Sequence, residues 1–334
     1  MQLKIKKGES LRYFITIGLA LSSHFTLVTQ PWKSVNAEYF IPTPKKFKLS
    51  KNRSTSFPYI STDSFRAICD HVCDETDAIF VPKNVQYGDT IYLTTYSVKD
   101  FYKQIHPKIK TSYILVTGYG DSSNPSAALN YLKDPKLLAW FGTNCDIKLD
   151  TNSKFIPIPI GLANNFWQHG NTKIMTNIQN KITTISKQYL LGLNFIIKTN
   201  TEERNLAYNT FSNKKFCTIL LNKLDKKHIS YQDYLNNMAQ CKFIISPHGN
   251  GLDCYRTWEA LLVGTIPIVK KSTLDPLYDN LPVIIVDKWS DVTQKFLEEK
   301  YQQINFNDYN LNKCYFKYWE DLIKKTQHNF RAIK

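Results

Sequence analysis

The stretch FIISPHGNGLDCYRTWEALLVGTIPIV, residues 243–269, constrains the fold more than any other part of the chain. A short apolar run leads into a glycine-containing loop, a helical pattern follows over 253–263, Gly264 ends it, and a second apolar run occupies 265–269. A helix between two short buried strands returns the chain to the same end of the sheet, so the strands pair in parallel. The segment therefore predicts an α/β fold.

The same alternation of apolar runs and helical patterns extends over most of the 334 residues. A chain of this length is longer than a single hydrophobic core usually supports, so two domains are expected. Pro157 and Pro159 make the run 155–160 either an edge strand or an extended crossing segment, because proline cannot donate to a central ladder. We expect strands at 78–81, 90–94, 113–117, 137–141, 155–160, 190–197, 216–221, 243–245, 265–269 and 283–286. We expect helices near 98–105, 126–132, 173–187, 201 onward, 231–239, 253–263, 291–303 and 311–325.

The N-terminus combines a basic start (Lys4, Lys6, Lys7) with an apolar run at 13–28 and a small-residue cleavage point ending at Ala37. This pattern is typical of a secretory signal peptide, with an uncleaved signal anchor and an amphipathic first element as alternatives. We therefore expect a protein of the secretory pathway or one associated with a membrane, with the cytoplasmic face as the alternative. The predicted units are this segment (1–37), a first Rossmann-like domain (38–188), a second (189–308) and a C-terminal helix (309–334) packing back on the first.

The formal net charge of +15, with a pI near 9.3, favours anionic partners. No RNP pattern or zinc-finger spacing occurs, so nucleic acid is disfavoured against phosphate-bearing donors, acidic glycans or an anionic membrane surface. The seven cysteines are an odd number, which argues against a closed disulfide framework. Cys69, His71 and Cys73 resemble half of a metal cluster, but a buried thiol or a local disulfide fits better, and no metal is assigned.

SPHGNG lies between the apolar run and the helix, where small residues let backbone N–H groups approach a phosphate. A tight turn without a ligand is the alternative interpretation. The candidate contacts are Ser246, His248, Gly249, Asn250 and Gly251.

Arg256 and Glu259 are three residues apart on the following helix, so their side chains share one face. A guanidinium can clamp a diphosphate, and a carboxylate can accept hydrogen bonds from a ribose diol. An ordinary surface ion pair is the alternative, which the position at the carboxyl end of a strand disfavours.

At this point the sequence resembles a known family. SPHGNG followed by YRTWEALLVGTIPIV is similar to the donor-binding signature of exostosin-type glycosyltransferases, in which an RxxEAL element precedes a glycine and an (I/V)P(I/V) strand. The resemblance is specific over residues 243–278 and looser over 155–289.

The resemblance implies a GT-B architecture, with two Rossmann-like domains facing across a cleft and the nucleotide-sugar held by the C-terminal one. It also implies an inverting transfer that needs no bound metal, and the absence of a DxD triplet agrees with that. Arg256 would bind the diphosphate and Glu259 the ribose. Arg204 lies where such enzymes place another phosphate-binding residue, with solvated surface as the alternative, and Asn200 is either a donor contact or a helix cap.

An inverting transfer needs a base that takes the proton of the acceptor hydroxyl. Asp121, in the loop after the run 113–117, is the first candidate, with a simple turn residue as the alternative. His169 is the second candidate, and His248 is the third, as a donor-side contact. A structural histidine is the alternative for both. The expected function is sugar transfer from a nucleotide-diphosphate donor to a hydroxyl on a glycan or glycoconjugate, without a cofactor. A catalytically inactive sugar- or nucleotide-binding protein of the same fold is the alternative.

Overall fold

The computed structural model describes residues 53–74, 80–121, 125–151, 153–220, 229–305 and 308–333, and two short strands before them. The strands are β1 Thr16–Ile17, β2 Phe25–Thr26, β3 His71–Cys73, β4 Thr90–Thr94, β5 Tyr113–Gly118, β6 Leu137–Gly142, β7 Phe155–Pro157, β8 Tyr189–Leu193, β9 Cys217–Ile219, β10 Cys241–Ile245, β11 Ile266–Lys270 and β12 Ile284–Val286. The α-helices are α1 Thr62–Ile68, α2 Val98–Asp100, α3 Thr172–Gln179, α4 Thr201–Phe211, α5 Tyr231–Ala239, α6 Tyr255–Leu262, α7 Gln294–Gln303 and α8 Phe316–Ile333.

The chain forms an α/β structure with two five-stranded parallel sheets, and β1 and β2 form a separate antiparallel pair. The first sheet has the order β3-β4-β5-β6-β7, and the second has the order β12-β11-β10-β8-β9. This confirms the predicted fold class at the level of two parallel α/β units. Apart from β1 and β2, the predicted N-terminal signal lies outside the described residues.

The first sheet follows the chain order, so right-handed crossovers would place all its connections on one face. Elements from other parts of the chain must pack on its other face, because Ile114, Leu115 and Val116 on β5 are all fully buried. Helix α1 packs on β4 and β5, and Phe316 at the start of α8 contacts the rings of Phe57 and Phe65. The C-terminal helix therefore supplies part of the core of the first unit.

The second sheet is doubly wound. The chain passes from β8 outward to β9, then returns to β10 on the other side of β8 and continues to β11 and β12. Helix α3 packs on α5, and the Gln179 side chain donates to the carbonyl of Leu262, so the packing of this unit already begins at α3.

Several elements differ from the sequence prediction, and three of them bear on the packing of the two sheets. Phe80 and Val81 lie outside any strand, and the edge beside β4 is formed by β3. The Asp70 carboxylate accepts from the amide and hydroxyl of Thr90, which fixes that pairing. The helix expected over 173–187 ends at Gln179, and the strand expected over 190–197 ends at Leu193.

The half-cluster Cys69, His71 and Cys73 is not assembled around a common centre. The Cys69 thiol donates to the carbonyl of Phe65, and His71 binds the Asp89 carboxylate at 2.7 Å. All seven cysteines, each within the described ranges, are free thiols. Within those same ranges no helix is both long and apolar enough to cross a bilayer.

Candidate functional site

The second sheet reverses its strand order between β8 and β10. In open α/β sheets, ligands bind beyond the carboxyl ends of the strands at such a switch point, because the two flanking loops diverge and leave a crevice. The loop after β8 begins at Asn194, and the loop after β10 is SPHGNG. The motif found in the sequence thus lies where the topology predicts a ligand.

The SPHGNG loop is held by its own side chains and its neighbours. The Ser246 hydroxyl lies 2.9 Å from that of Thr257 on α6, and the Ser246 amide donates to Ile268 on β11. A Cβ atom at Gly249 would lie 2.8 Å from Nη2 of Arg204, so this glycine permits the close approach of the arginine. Ser246 and Gly249 therefore shape the loop.

Arg204 and Asn200 connect the loops after β8 and β10. Arg204 is buried and donates from Nε to the carbonyl of His248 and from Nη1 to that of Ile196. Asn200 caps α4 by accepting from the Glu203 amide, and its side-chain nitrogen lies 3.0 Å from the Gly249 carbonyl and 3.1 Å from His248 Nδ1. The capping interpretation of Asn200 is confirmed, and the buried Arg204 is not solvated surface.

Arg256 points into the switch point. Its side chain is buried, Nε donates to the main-chain carbonyl of Asn194 at 2.6 Å, and the guanidinium lies 5.5 Å from the Phe195 ring centre. Because this carbonyl is bound by Arg256, the pairing of β8 ends at Leu193, which explains the shorter strand. Nη1 of Arg256 is buried and has no hydrogen-bond partner.

Asn194 was missed by the sequence analysis because it was placed inside a predicted strand. It is fully buried, and neither its side-chain oxygen nor its side-chain nitrogen has a hydrogen-bond partner. Buried polar atoms without partners are rare in proteins, and a ligand, an ordered water or local strain accounts for those that occur. A lone asparagine directly after the apolar run 190–193 was the available signal.

Glu259 lies one turn along α6, buried at 3% exposure, and accepts a hydrogen bond from the Tyr234 hydroxyl at 2.9 Å. Burial raises the pKa of Glu259 to about 7, against the opposing effects of the Tyr234 bond and the Arg256 charge. Within the described residues, no ion pair joins Arg256 to Glu259. Since both side chains are buried, the surface ion-pair interpretation is wrong.

The site is electropositive. Burial lowers the pKa of Arg204, and the neighbouring charge of Arg256 lowers it further, which shows that two buried guanidinium groups act on each other. Burial also raises the pKa of the adjacent Glu259 carboxylate to about 7, which reduces its negative charge at neutral pH. Two arginines with incompletely compensated charge attract an anion that can bind both, such as a diphosphate.

Loops of the first unit approach the same site. Asp253 accepts from the Ile160 amide at 2.8 Å and from the Trp258 indole at 2.9 Å, and burial raises its pKa to about 6. Asn144, after β6, accepts from the Asp253 amide, and a Cβ atom at Gly251 would lie 2.9 Å from the Asn144 Oδ1. Gly251 thus permits contact between the loops of the two sheets.

The two candidate bases both lie near Tyr255, the first residue of α6. The Asp121 carboxylate accepts from the Asn250 side chain at 3.1 Å, across the two units. The ring of His169 lies 6.4 Å from that of Tyr255, and partial desolvation lowers the pKa of His169. His248 instead lies beside Asn200 on the donor side. The structure thus brings the predicted residues to one region from both units.

Comparison with known families gives a match that covers the second unit. Residues 173–333 match the family model of the RXYLT1 C-terminal domain. RXYLT1 is an exostosin-like xylosyltransferase, so the match suggests a glycosyltransferase-type enzyme. No curated protein matches the chain. The RXYLT1 match extends from α3 to the end of α8, so it contains the doubly wound sheet, Asn194, Arg204, Arg256 and Glu259.

Proposed function

We propose that the chain transfers a sugar from a nucleotide-diphosphate donor to a hydroxyl on a glycan or glycoconjugate, with inversion at the sugar carbon and without a metal. The observation that carries this proposal is the set of unpartnered buried polar atoms at the switch point, on Arg256 and Asn194. They offer N–H donors and an acceptor where α/β sheets bind nucleotides. The RXYLT1 match supports the glycosyltransferase class.

The donor is held in the second unit. Nη1 of Arg256 donates to the diphosphate, Asn194 contributes its amide group, and the Glu259 carboxylate accepts from the ribose hydroxyls. As the bond between the sugar carbon and the diphosphate breaks, negative charge develops on the leaving oxygen. The guanidinium of Arg256, with that of Arg204 behind it, stabilises this charge from a fixed position. This is the chemical basis for the proposed metal independence.

The acceptor hydroxyl attacks the sugar carbon and loses its proton to a base from the first unit. Asp121 is the first candidate because it already contacts the Asn250 side chain of the donor loop. His169 is the second, because its ring lies near Tyr255 at the start of α6 and an imidazole can accept a proton. In this proposal the two parallel sheets face each other in the GT-B manner.

The proposed location is the secretory pathway or a membrane, through the N-terminal segment. Mass spectrometry of the mature N-terminus tests this, since a cleaved signal begins the mature chain at Glu38 and an anchor leaves it at Met1. An unprocessed chain recovered without membranes would contradict both.

Turnover tests the enzyme assignment. Release of the nucleoside diphosphate is measured with a panel of UDP- and GDP-sugars, with and without simple glycosides as acceptors. We expect release from at least one donor, reduced about a hundredfold or more by Asp121→Asn or His169→Gln, whichever is the base. Donor binding without any release would favour the inactive sugar- or nucleotide-binding protein, and no binding would exclude both.

A further inference from the structure

An almost continuous row of aromatic rings runs from the loop after β5 to the first turn of α6. Ring centres are separated by 6.5 Å for Tyr119 and Phe166, 5.0 Å for Phe166 and Trp167, and 5.9 Å for Trp167 and His169. The row ends with His169 and Tyr255, 6.4 Å apart. We call these five side chains the aromatic platform.

The two large apolar members of the loop 164–171 are unusually exposed for their size. Phe166 retains 42% of its accessible surface and Trp167 retains 47%, although both are large and apolar. Adjacent exposed rings of this size lose the hydrophobic stabilisation that core positions provide, and contiguous exposed apolar surface marks binding sites.

The loop that carries these rings is firmly held. The Trp167 amide donates to the Asn164 carbonyl, and the buried Asn164 side chain accepts from Thr62 and from the Asp63 amide. Below the rings, the guanidinium of Arg53 lies 4.3 Å from the Tyr119 ring centre and is paired with Asp63. The aromatic platform is therefore arranged before any ligand arrives, which lowers the entropy cost of binding.

The chemistry of the aromatic platform suits a sugar ring. A pyranose or furanose ring presents C–H groups on one face and hydroxyls around its rim, so it needs a flat apolar surface beside polar groups. Trp167 and Phe166 provide the surface, and His169 and Asp121 provide polar groups near its end at Tyr255. Tyr255 begins the helix that carries Arg256 and Glu259, so the aromatic platform adjoins the donor site.

We propose that the aromatic platform is the acceptor subsite: a sugar ring of the acceptor stacks on Trp167 and Phe166, with its reacting hydroxyl directed toward Asp121 and His169. This rests on the proposed glycosyltransferase function and adds the class of acceptor, a glycan that offers a ring face and not a flexible polyol. Exposed tryptophans also bind membrane surfaces, but the neighbouring Asp121 carboxylate would repel an anionic one.

Saturation-transfer NMR tests the inference with the full chain, saturated with UDP or GDP, and a panel of methyl glycosides of common hexoses and pentoses. We expect ring C–H protons of at least one glycoside to receive saturation. The effect should fall about fivefold in Trp167→Leu, which removes the ring and keeps an apolar side chain, and should persist in Trp167→Phe. Ile285→Ala, at a 39% exposed position on the far edge strand β12, is the matched control and should change nothing.

Nucleotide-sugar affinity, measured on the same variants, separates this inference from the proposed function. Unchanged donor affinity with lost glycoside contact in Trp167→Leu is the expected result. Glycoside contact that survives Trp167→Leu, or donor binding without contact to any glycoside of the panel, overturns the acceptor subsite and leaves the donor site intact. Absence of donor binding in the wild type overturns the proposed function itself. Binding to phosphatidylserine vesicles that Trp167→Leu abolishes, without glycoside contact, would assign the rings to a membrane instead.

Discussion

Asn194 has a side chain that does not help the unliganded protein to fold. Its amide is fully buried and has no hydrogen-bond partner, and such a group costs about 1 to 3 kcal/mol. In the proposed donor site, such a residue is explained by a ligand that completes its hydrogen bonds. Active sites commonly keep such residues at the expense of stability.

We therefore expect opposite effects of Asn194→Leu on stability and on binding. Leucine has a similar shape without polar atoms, so the free energy of unfolding should rise by about 1 kcal/mol, and donor affinity should fall roughly tenfold. Urea denaturation and calorimetry measure the two quantities. A less stable variant that binds the donor normally would show that Asn194 is structural.

The raised pKa of Glu259 predicts that donor binding depends on pH. Its pKa of about 7 is above the ordinary value of 4.5, so the unliganded fold gains stability from its protonated form below pH 4.5 and loses that contribution as the pH rises through 7. A ribose diol donates to the ionised carboxylate, so binding should release a proton and strengthen roughly tenfold from pH 6 to pH 8.

Calorimetry in two buffers of different ionisation enthalpy measures this proton release. A nucleotide-diphosphate sugar is the appropriate probe, because it has no terminal phosphate group that titrates in this range. Glu259→Gln should bind more weakly and without the pH slope. Proton uptake by the wild type on binding, or an equal pH slope of affinity in the variant, would show that Glu259 does not contact the donor.

At the scale of elements, the loop 164–171 depends on a glycine. A Cβ atom at Gly170 would lie 2.2 Å from the carbonyl oxygen of Asn164, a backbone atom that cannot yield without moving the loop. Gly170→Ala should therefore lower the free energy of unfolding by roughly 2 kcal/mol, as measured by urea denaturation. Gln168→Ala, an exposed position in the same turn, should change it by less than about 0.5 kcal/mol. Equal stabilities of the two variants would contradict a firmly held loop.

The sequence predicted the bounds of an element well where a single local pattern determined them. Helix α5 coincides with the prediction at 231–239, and β4 coincides at 90–94, because amphipathic periodicity and buried β-branched residues are local signals. The end of β8 was missed because Arg256, 62 positions away, binds the carbonyl that would continue it. The edge strand β3 was missed because its pairing depends on Asp70 and Thr90 and not on apolarity.

The candidate site was predictable in its donor half. SPHGNG, Arg256 and Glu259 are contiguous in sequence, so their shared location followed from local geometry. Partners brought by distant segments were not predictable, and these are Asn194, Tyr234 and Asn144. Whether the predicted residues contact substrate stays a prediction, and these are Asp121, His169, Asn200, Arg204, Arg256, Glu259 and the residues of SPHGNG.

At the scale of the whole molecule, Asp253 joins the two units. Its carboxylate accepts from the amides of Ile160 and Cys254 and from the Trp258 indole. Asp253→Ala leaves these buried donors unpaired and should lower the free energy of unfolding by about 3 kcal/mol. Asp287→Ala, at an exposed surface carboxylate, is the control and should have little effect. A similarly small effect of Asp253→Ala would mean that the contact between the units contributes little to the free energy of unfolding.

The C-terminal helix provides a second test of this connection. Phe316 is fully buried against Phe57 and Phe65, although more than 240 residues separate it from them in sequence. Phe316→Ala should lower the free energy of unfolding by about 3 to 5 kcal/mol, while Ile333→Ala, at an 81% exposed position on the same helix, should not change it measurably. Thermal and urea denaturation measure both. A mild effect of Phe316→Ala would contradict a core shared between the ends of the chain.

The central claim is that a diphosphate binds Arg256 at the switch point, and calorimetry with UDP- and GDP-sugars tests it most directly. We expect the wild type to bind at least one of them, and Arg256→Ala to weaken that binding by roughly tenfold to a hundredfold. The corresponding nucleoside, which lacks phosphates, should bind both proteins equally. Failure of the folded wild type to bind any donor, or equal donor affinity in Arg256→Ala, would contradict the claim.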